Sequence, residues 1–446
     1  MSWLEQNNIY RYEEDSLSIL YSPIARKYAV ATPQQVDEFL SFANEHMSEG
    51  AASAASDSPY NIYLPLADYI PLDKQRKVKS PEDYSLLTVL PNNVCNFACT
   101  YCYSAAGRNG SQLSQENLKV AIDYFFDSKP QDYSRPLTIS FMGGGEPMLS
   151  WNCVKFGVLY AREKSRQRGI RLNLRIITNG SVLEEETIPF ILQNDVRLSI
   201  SFEILPEIQN LQRKHYDLVR QHIDEFQKAG VDVQINSTIT PANVCRIEEM
   251  VEILHQQFPG ITNVMFEPVV SQSMFPTPAD LRTFYDTYLH HIIRGLELAD
   301  LYGISITSFA FLRTVFPLER ACPGEFCITA DGDITGCYCV AEKHDPLFSS
   351  TCYGTIVDGH IQFDLSRYKQ LLADNVYAHP QCSDCKVKWN CGGGCFHQYK
   401  SYDEPYCEEV CRFTKLFVEQ LVKYKVRRYL AKHGTPDKYP ILFKEF

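Results

Sequence analysis

From about residue 84 the chain alternates short apolar runs with longer amphipathic stretches. The runs YSLLTVL, PLTISFM, LRIIT, RLSISFE, VDVQINSTI and NVMFEPV are rich in Val, Ile, Leu and Phe, the composition of strands buried on both faces. Between them, 114–127, 152–168, 213–229 and 244–257 read as helices. Six strand–helix units predict a parallel α/β sheet, either open and doubly wound or a partial barrel, with ligands at the carboxyl ends of its strands. The first 70 or so residues follow another pattern. IYRYEEDSLSILYSP and KYAVATPQQVDEFLSFANEHM predict two short strands and a helix capped by Thr32. SEGAASAASDSPY, small and polar, reads as a loop or linker.

With 446 residues, 45% hydrophobic and 22% charged, the chain is long enough for two or three cores. A net charge of −11 excludes a nucleic-acid groove as the main surface, since phosphate binding needs clustered Lys and Arg. The N-terminus MSWLEQNNIYRYEED lacks a basic region followed by an apolar run, and no continuous apolar stretch approaches 18 residues. The expectation is a cytoplasmic protein without membrane spans, whose partners are peptides or small molecules. Sixteen cysteines in such a chain point to metal rather than disulfides. Three lie at 95–102 and eleven between 322 and 411; the isolated Cys153 and Cys245 read as buried small hydrophobes.

CNFACTYCY places Cys95, Cys99 and Cys102 in the loop after the first barrel strand. A four-iron cubane held by three thiolates leaves one iron open to a non-protein ligand. A zinc loop borrowing a distant fourth ligand is the competing reading. MGGGEP follows the second strand; its glycines let the backbone approach a ligand, and Glu146 offers an acceptor for a cationic amine. Both motifs fall at the same end of the sheet.

The C-x3-C-x2-C spacing, with Tyr101 before the last cysteine, resembles the radical S-adenosylmethionine superfamily. The resemblance implies a partial (β/α)6 TIM-like barrel in which the methionine amine and carboxylate chelate the open iron. It carries a Gly-Gly-Glu-Pro amine-binding segment onto Gly144, Gly145, Glu146 and Pro147, and suggests cosubstrate contacts at Thr178, Asn179 and Ser201. Strand-end capping by small polar residues is the alternative for those three. Arg213 is a candidate partner for the cosubstrate carboxylate, or an exposed helix arginine. Where related sequences often read Ser-Leu-Asp-Gly, this one reads SFEI, with Glu203 at the third position.

In the C-terminal region CPGEFCITADGDITGC and CSDCKVKWNCGGGC follow one another. Alone, the C-x2-C-x5-C-x3-C of the second fits a zinc site or a [4Fe–4S] cluster equally. The whole array, C-x9-G-x4-C, the second motif and a late cysteine, resembles the SPASM domain of peptide-modifying radical S-adenosylmethionine enzymes. By that resemblance Cys322, Cys327, Cys337 and Cys395 would hold a first auxiliary cluster. Cys382, Cys385, Cys391 and Cys411 would hold a second, with Cys407 the alternative to Cys411. Cys339 and Cys352 match no position and read as structural.

The resemblance spans about 84–425. It divides the chain into an N-terminal segment (1–78, a candidate peptide-recognition element), a barrel (79–305), a SPASM domain (306–425) and a tail (426–446). It implies three [4Fe–4S] clusters, S-adenosylmethionine, and an electron donor such as flavodoxin or ferredoxin. The expected activity is reductive cleavage of S-adenosylmethionine to a 5′-deoxyadenosyl radical, which abstracts hydrogen from a residue of a ribosomally made precursor peptide to install a crosslink or other modification. Anaerobic sulfatase-maturating enzymes, which make formylglycine, are the alternative within the group. They carry an acidic base directly after the cysteine matching Cys337, where this chain has Tyr338. A non-enzymatic electron carrier or zinc scaffold would fit the C-terminal cysteines but has no use for an open cluster beside GGGEP.

Overall fold

The computed structural model describes residues 2–46, 58–68, 78–105, 109–312, 317–322, 324–436 and 440–444. All but the last three residues of SEGAASAASDSPY fall outside them. Among the described residues no helix is long and apolar enough to cross a membrane.

The N-terminal segment is an antiparallel meander of β1 (Tyr10–Glu14), β2 (Leu17–Ser22) and β3 (Lys27–Ala31). The stretch expected as one strand is thus a hairpin; Asp15, at φ 51, turns it, and Asp is one of the few residues that visit this region readily. Helix Pro33–His46 follows. The Gln35 N–H donates to Thr32 Oγ1 (3.3 Å) and Gln35 Oε1 accepts from the Thr32 N–H (3.0 Å), a reciprocal cap.

Six parallel strands come next, paired in sequence order: β4 (Leu86–Val89), β5 (Leu137–Phe141), β6 (Leu172–Thr178), β7 (Val196–Ser201), β8 (Val233–Ile239) and β9 (Asn263–Pro268). β10 (Ser305–Thr307) extends this series beside β9. The other edge of β4 takes β11 (Phe326–Ile328) in parallel, and β12 (Asp333–Thr335), β13 (Cys352–Val357) and β14 (His360–Phe363) continue antiparallel. The result is one eleven-stranded sheet whose barrel portion stays open. Gly332, at φ +83, makes the turn between β11 and β12, and an added Cβ would meet Asn117 Nδ2 at 2.6 Å. The glycine of C-x9-G-x4-C thereby folds Cys327, on β11, back towards Cys337, two residues past the end of β12.

The barrel strands are not apolar on both faces. On β8, Val233, Ile235 and Ile239 are buried in the main core, while Gln234, Asn236 and Thr238 line an internal chamber. On β6, Leu174 and Ile176 are likewise buried and Arg175 lines the chamber. The alternation is that of a half-buried strand, because the barrel encloses space instead of a second apolar layer. The helix expected over 213–229 starts at Tyr216: Lys214 (φ 77) and His215 (φ 58) adopt left-handed conformations that end helix Pro206–Gln212 and free Arg213 from either helix. Cys153 is buried as expected; Cys245 is exposed, on a turn whose buried residue is Val244.

Helix Glu404–His433 runs through residue 425, and β15 (Ile441–Lys444) pairs antiparallel with β3. The first and last segments therefore fold together. Ile19, Tyr21, Tyr28 and Val30 pack against Val418, Val422 and Val426, at about 1.5–3 kcal/mol for each fully buried large aliphatic side chain.

Candidate active site

The loops after β4 and β5 are built as a pair. The Gly145 N–H donates to Asn92 O (2.8 Å) and the Glu146 N–H to Val94 O (2.7 Å). Asn92 Nδ2 returns bonds to Glu146 O (2.9 Å) and Ser150 Oγ (2.8 Å). The contact is so close that a Cβ on Gly145 would lie 1.9 Å from Val94 O, and one on Gly144 2.3 Å from Asn93 Oδ1. Glycine at these positions lets the cysteine loop rest on the GGGEP loop. Asn92 was not singled out from the sequence; the PNN preceding the first cysteine was the available signal.

The Glu146 carboxylate is 2% exposed. It accepts from Thr178 Oγ1 (2.6 Å), the Asn179 N–H (2.7 Å) and the Met148 N–H (3.0 Å). Burial raises its pKa; these three donors pull it back. The carboxylate thus clamps the ends of β5 and β6 together, while the backbone of its loop faces the cavity. Asn179 Nδ2 reaches Asn96 Oδ1 (3.0 Å), tying β6 to the cysteine loop. In Glu146→Gln an NH2 group replaces one acceptor among three donors. The expected loss is about 1–3 kcal/mol of stability together with weaker S-adenosylmethionine binding, checked by thermal melting and cosubstrate titration. If neither moves, the clamp holds nothing.

Arg213 is buried, contrary to the surface alternative. Its Nη1 donates to Tyr101 Oη (2.8 Å), whose hydroxyl donates to Glu203; Arg213 and Glu203 are 3.8 Å apart. Glu203 also accepts from Ser237 Oγ (2.8 Å) and the Thr238 N–H (3.1 Å). Burial pushes the Glu203 carboxyl up, and Arg213, Tyr101, Ser237 and Thr238 oppose it. The residue left without a role by sequence is thus the buried anchor of Tyr101 and Arg213. Arg213 Nε has no partner among the described residues, so the guanidinium keeps a donor to offer. Burial raises the Cys99 thiol, and Arg213 is the largest opposing influence.

Cys95, Cys99, Tyr101, Cys102, Gly144 to Pro147, Thr178, Asn179, Ser201 and Arg213 all line one cavity of about 760 Å³. Cys322, Cys337, Cys339, Cys395 and Tyr338 line its other side. Cys327 is fully buried on β11 and does not reach this wall. Cys339, unassigned from sequence, hydrogen-bonds Cys337 and lies near Cys395. Burial pushes the Cys322 thiol to about 12, with Cys337 and Cys395 adding to it. Burial also holds the Tyr338 hydroxyl well above the usual tyrosine range, and its ring meets Tyr103 edge-on at 5.9 Å. Farther out, Cys382 is raised to about 11 by burial and by the nearby thiols of Cys391, Cys385 and Cys411. Cys407 instead donates to Tyr402 O (3.5 Å), and Cys411 Sγ contacts Tyr399 Oη (3.1 Å).

Among the described residues no three His, Cys, Asp or Glu side chains converge on a single metal position. Thiols spread around a cavity suit a cluster whose thiolates bind separate irons, and an all-sulfur donor set suits iron–sulfur chemistry. The residues therefore fit the group the motifs imply: Cys95, Cys99 and Cys102 would hold the cluster, and the GGGEP backbone and Arg213 would hold its ligand.

Residues 89–254 match the model of the Radical SAM superfamily. That stretch is a radical SAM domain, of a superfamily whose members use S-adenosylmethionine and a [4Fe–4S] cluster. A cysteine-type anaerobic sulfatase-maturating enzyme of Clostridium perfringens (strain 13 / Type A) is 20% identical over 367 residues, 76% of this chain and 97% of that one. A probable GTP 3′,8-cyclase of Methanothermobacter marburgensis is 29% identical over 169 residues, 36% of this chain and 51% of that one. The solved structure of native anSMEcpe with bound AdoMet aligns at TM-score 0.61 and 17% identity, covering 78% of this chain and 98% of that one. Native anSMEcpe with AdoMet and the Cp18Cys peptide aligns at TM-score 0.60, with the same identity and coverage. At that identity the likeness is one of fold.

Proposed function

We propose that the protein is a peptide maturase that abstracts hydrogen from a residue of a ribosomally made peptide and installs a crosslink or other modification. The observation that carries this reading is the shared cavity, where the three-cysteine loop faces Cys322, Cys337 and Cys395 across one space. Thiols on the wall facing the cysteine loop leave a bulky substrate held between two sets of redox-active ligands, an arrangement that suits taking an electron from a peptide. Cys322, Cys327, Cys337 and Cys395 are the proposed ligands of a first auxiliary cluster. Cys382, Cys385, Cys391 and Cys411 are proposed for a second; Cys411 is preferred over Cys407 because it lies beside Cys382 while Cys407 bonds backbone carbonyls.

When bound, S-adenosylmethionine and its cluster supply the radical chemistry. The chain's own residues do the rest. Glu146 fixes the loop whose backbone meets the methionine end, and Arg213 offers its free donor to the carboxylate. A flavodoxin or ferredoxin is the proposed electron donor. The test is anaerobic reconstitution with iron and sulfide, then dithionite and S-adenosylmethionine. Release of 5′-deoxyadenosine, and a mass change in a precursor peptide encoded beside the gene, are the expected results; no release overturns the reading.

The sulfatase-maturating alternative draws on the Clostridium perfringens relative. Against it stands Tyr338 in place of the acidic base. Conversion of a cysteine-containing sulfatase peptide to formylglycine would decide for it.

The N-terminal segment is the proposed peptide-recognition element, through strand addition at the free edge of its sheet. That sheet, in the order β1-β2-β3-β15, leaves β1 as one edge, while the chain's own C-terminal strand occupies the β3 side. Deleting 1–75 would expose Val418, Val422 and Val426, so unfolding would mask any recognition defect. Replacing the exposed Glu13, which stands opposite Ser18 with its N–H on the outer side, by Pro on the β1 edge blocks strand addition with less damage, since Pro is tolerated at sheet edges. The expected outcome is weaker binding of the peptide with 5′-deoxyadenosine release retained; undiminished peptide affinity removes the recognition role.

A further inference from the structure

A second chamber of about 1380 Å³ occupies the open interior of the barrel. It shares Tyr103, Met142, Ser201, Glu267 and Tyr338 with the cavity of the cysteine loop, so the two meet at a waist. At its far side the wall is the last turns of helix Glu404–His433 and strand β15. Lys425, Arg428 and Lys432 repeat at i, i+3 and i+7 along one helix face, and Lys444 of β15 joins them. Phe443 of the same strand stacks on Tyr429 (3.9 Å) and Tyr28 (4.9 Å), which fixes β15 against the rim.

This concentration of cations stands out in a chain of net charge −11. The chamber's own carboxylates are engaged. Asp300 pairs with Arg428 (3.2 Å) and accepts from Tyr424 Oη (2.6 Å). Glu267 accepts from the Phe309 N–H (2.8 Å), and Glu325 from Thr88 Oγ1 (3.1 Å). Lys432 and Lys444 are both exposed and carry no ion pair among the described residues. Deeper in, Arg175 Nε is buried without a partner among the described residues, and burial lowers Lys425 to about 7. Distant acidic surface is screened beyond about 8–10 Å at physiological salt, so the local rim decides what enters.

We propose that this second chamber is the peptide entrance, and that its Lys425, Arg428, Lys432 and Lys444 rim selects a peptide carrying carboxylates close to the residue to be modified. The inference rests on the peptide-maturase reading and adds to it a route and a charge preference. An extended chain entering past β15 follows the chamber to the waist and meets the cavity of the cysteine loop there, with its acidic residues left at the rim.

The test uses the reconstituted full-length protein with S-adenosylmethionine and two fluorescein-labelled peptides, Ser-Glu-Glu-Ala-Glu-Glu-Ala-Cys-Gly and its Gln-for-Glu counterpart, followed by anisotropy. The Glu peptide should bind about tenfold more tightly at low salt, and the advantage should shrink as salt rises. The double reversal Lys432→Glu, Lys444→Glu, both on exposed side chains, should abolish the preference. Equal binding of the two peptides, or a preference that survives the reversal, overturns the proposal; so does inorganic tripolyphosphate binding at the rim when neither peptide does. Release of 5′-deoxyadenosine by the same wild-type preparation separately tests the enzyme reading. A preparation that releases it without preferring the Glu peptide sinks the rim alone.

Discussion

Replacing Cys95, Cys99 and Cys102 together by Ala is expected to abolish S-adenosylmethionine cleavage while leaving the protein folded and partly loaded with iron. The three thiols are half-buried in a loop at the barrel rim, and none belongs to the fully buried core. Their loss removes ligands without opening a large cavity. The C-terminal cysteines come from other elements, around β11, β12, and residues 380–411, so clusters there assemble on separate supports. About twelve irons per chain in the wild type should fall to about eight, with acid-labile sulfide falling in step. Undiminished 5′-deoxyadenosine release by the triple variant would remove this loop from the chemistry. Loss of all the iron would instead show that the three proposed sites are not independent.

Glu203→Gln carries the next largest expected effect. Glu203 is fully buried and is the counter-charge of Arg213, itself buried beside Tyr101. Removing one member of a buried pair strands the other's charge at a cost of about 3–5 kcal/mol. The midpoint of urea unfolding should fall accordingly. Because Tyr101 lies between Cys99 and Cys102 in the chain and hydrogen-bonds both partners, cosubstrate affinity should fall too. The double variant Glu203→Gln, Arg213→Gln should recover part of the lost stability, since it leaves no stranded charge. Additive losses would mean that the two groups stabilise the loop independently.

Much of the site was legible because it is written in short, local motifs. CNFACTYC and GGGEP each sit within a single loop, and an alternation of strand and helix dictates that all such loops open at one end of the sheet. The six strand positions were legible for the same local reason. The inward face of each strand was not: Arg175, Gln234 and Asn236 sit within otherwise apolar runs, and only an enclosed, solvent-filled interior makes their placement favourable. Glu203 escaped notice because its partners, Tyr101, Arg213 and Ser237, are far away in sequence and meet only where β7 and β8 end beside the cysteine loop. Arg213 looked like a surface helix residue because nothing local announces that Lys214 and His215 take left-handed conformations and end the helix before it.

By itself, then, the sequence carried the motifs of the cofactor chemistry and the positions of the barrel strands, since spacing within one loop and hydrophobic period within one element are local properties that survive without knowledge of the rest. The tertiary structure alone decided which distant groups share a space. It joined β11 to β4, so that Cys322, Cys337, Cys339 and Cys395 face the loop of Cys95, Cys99 and Cys102. It paired β15 with β3, so that the two ends of the chain form one sheet whose last strand lines the barrel's chamber. Such contacts are fixed by burial of complementary faces hundreds of residues apart, and no window along the chain contains both partners.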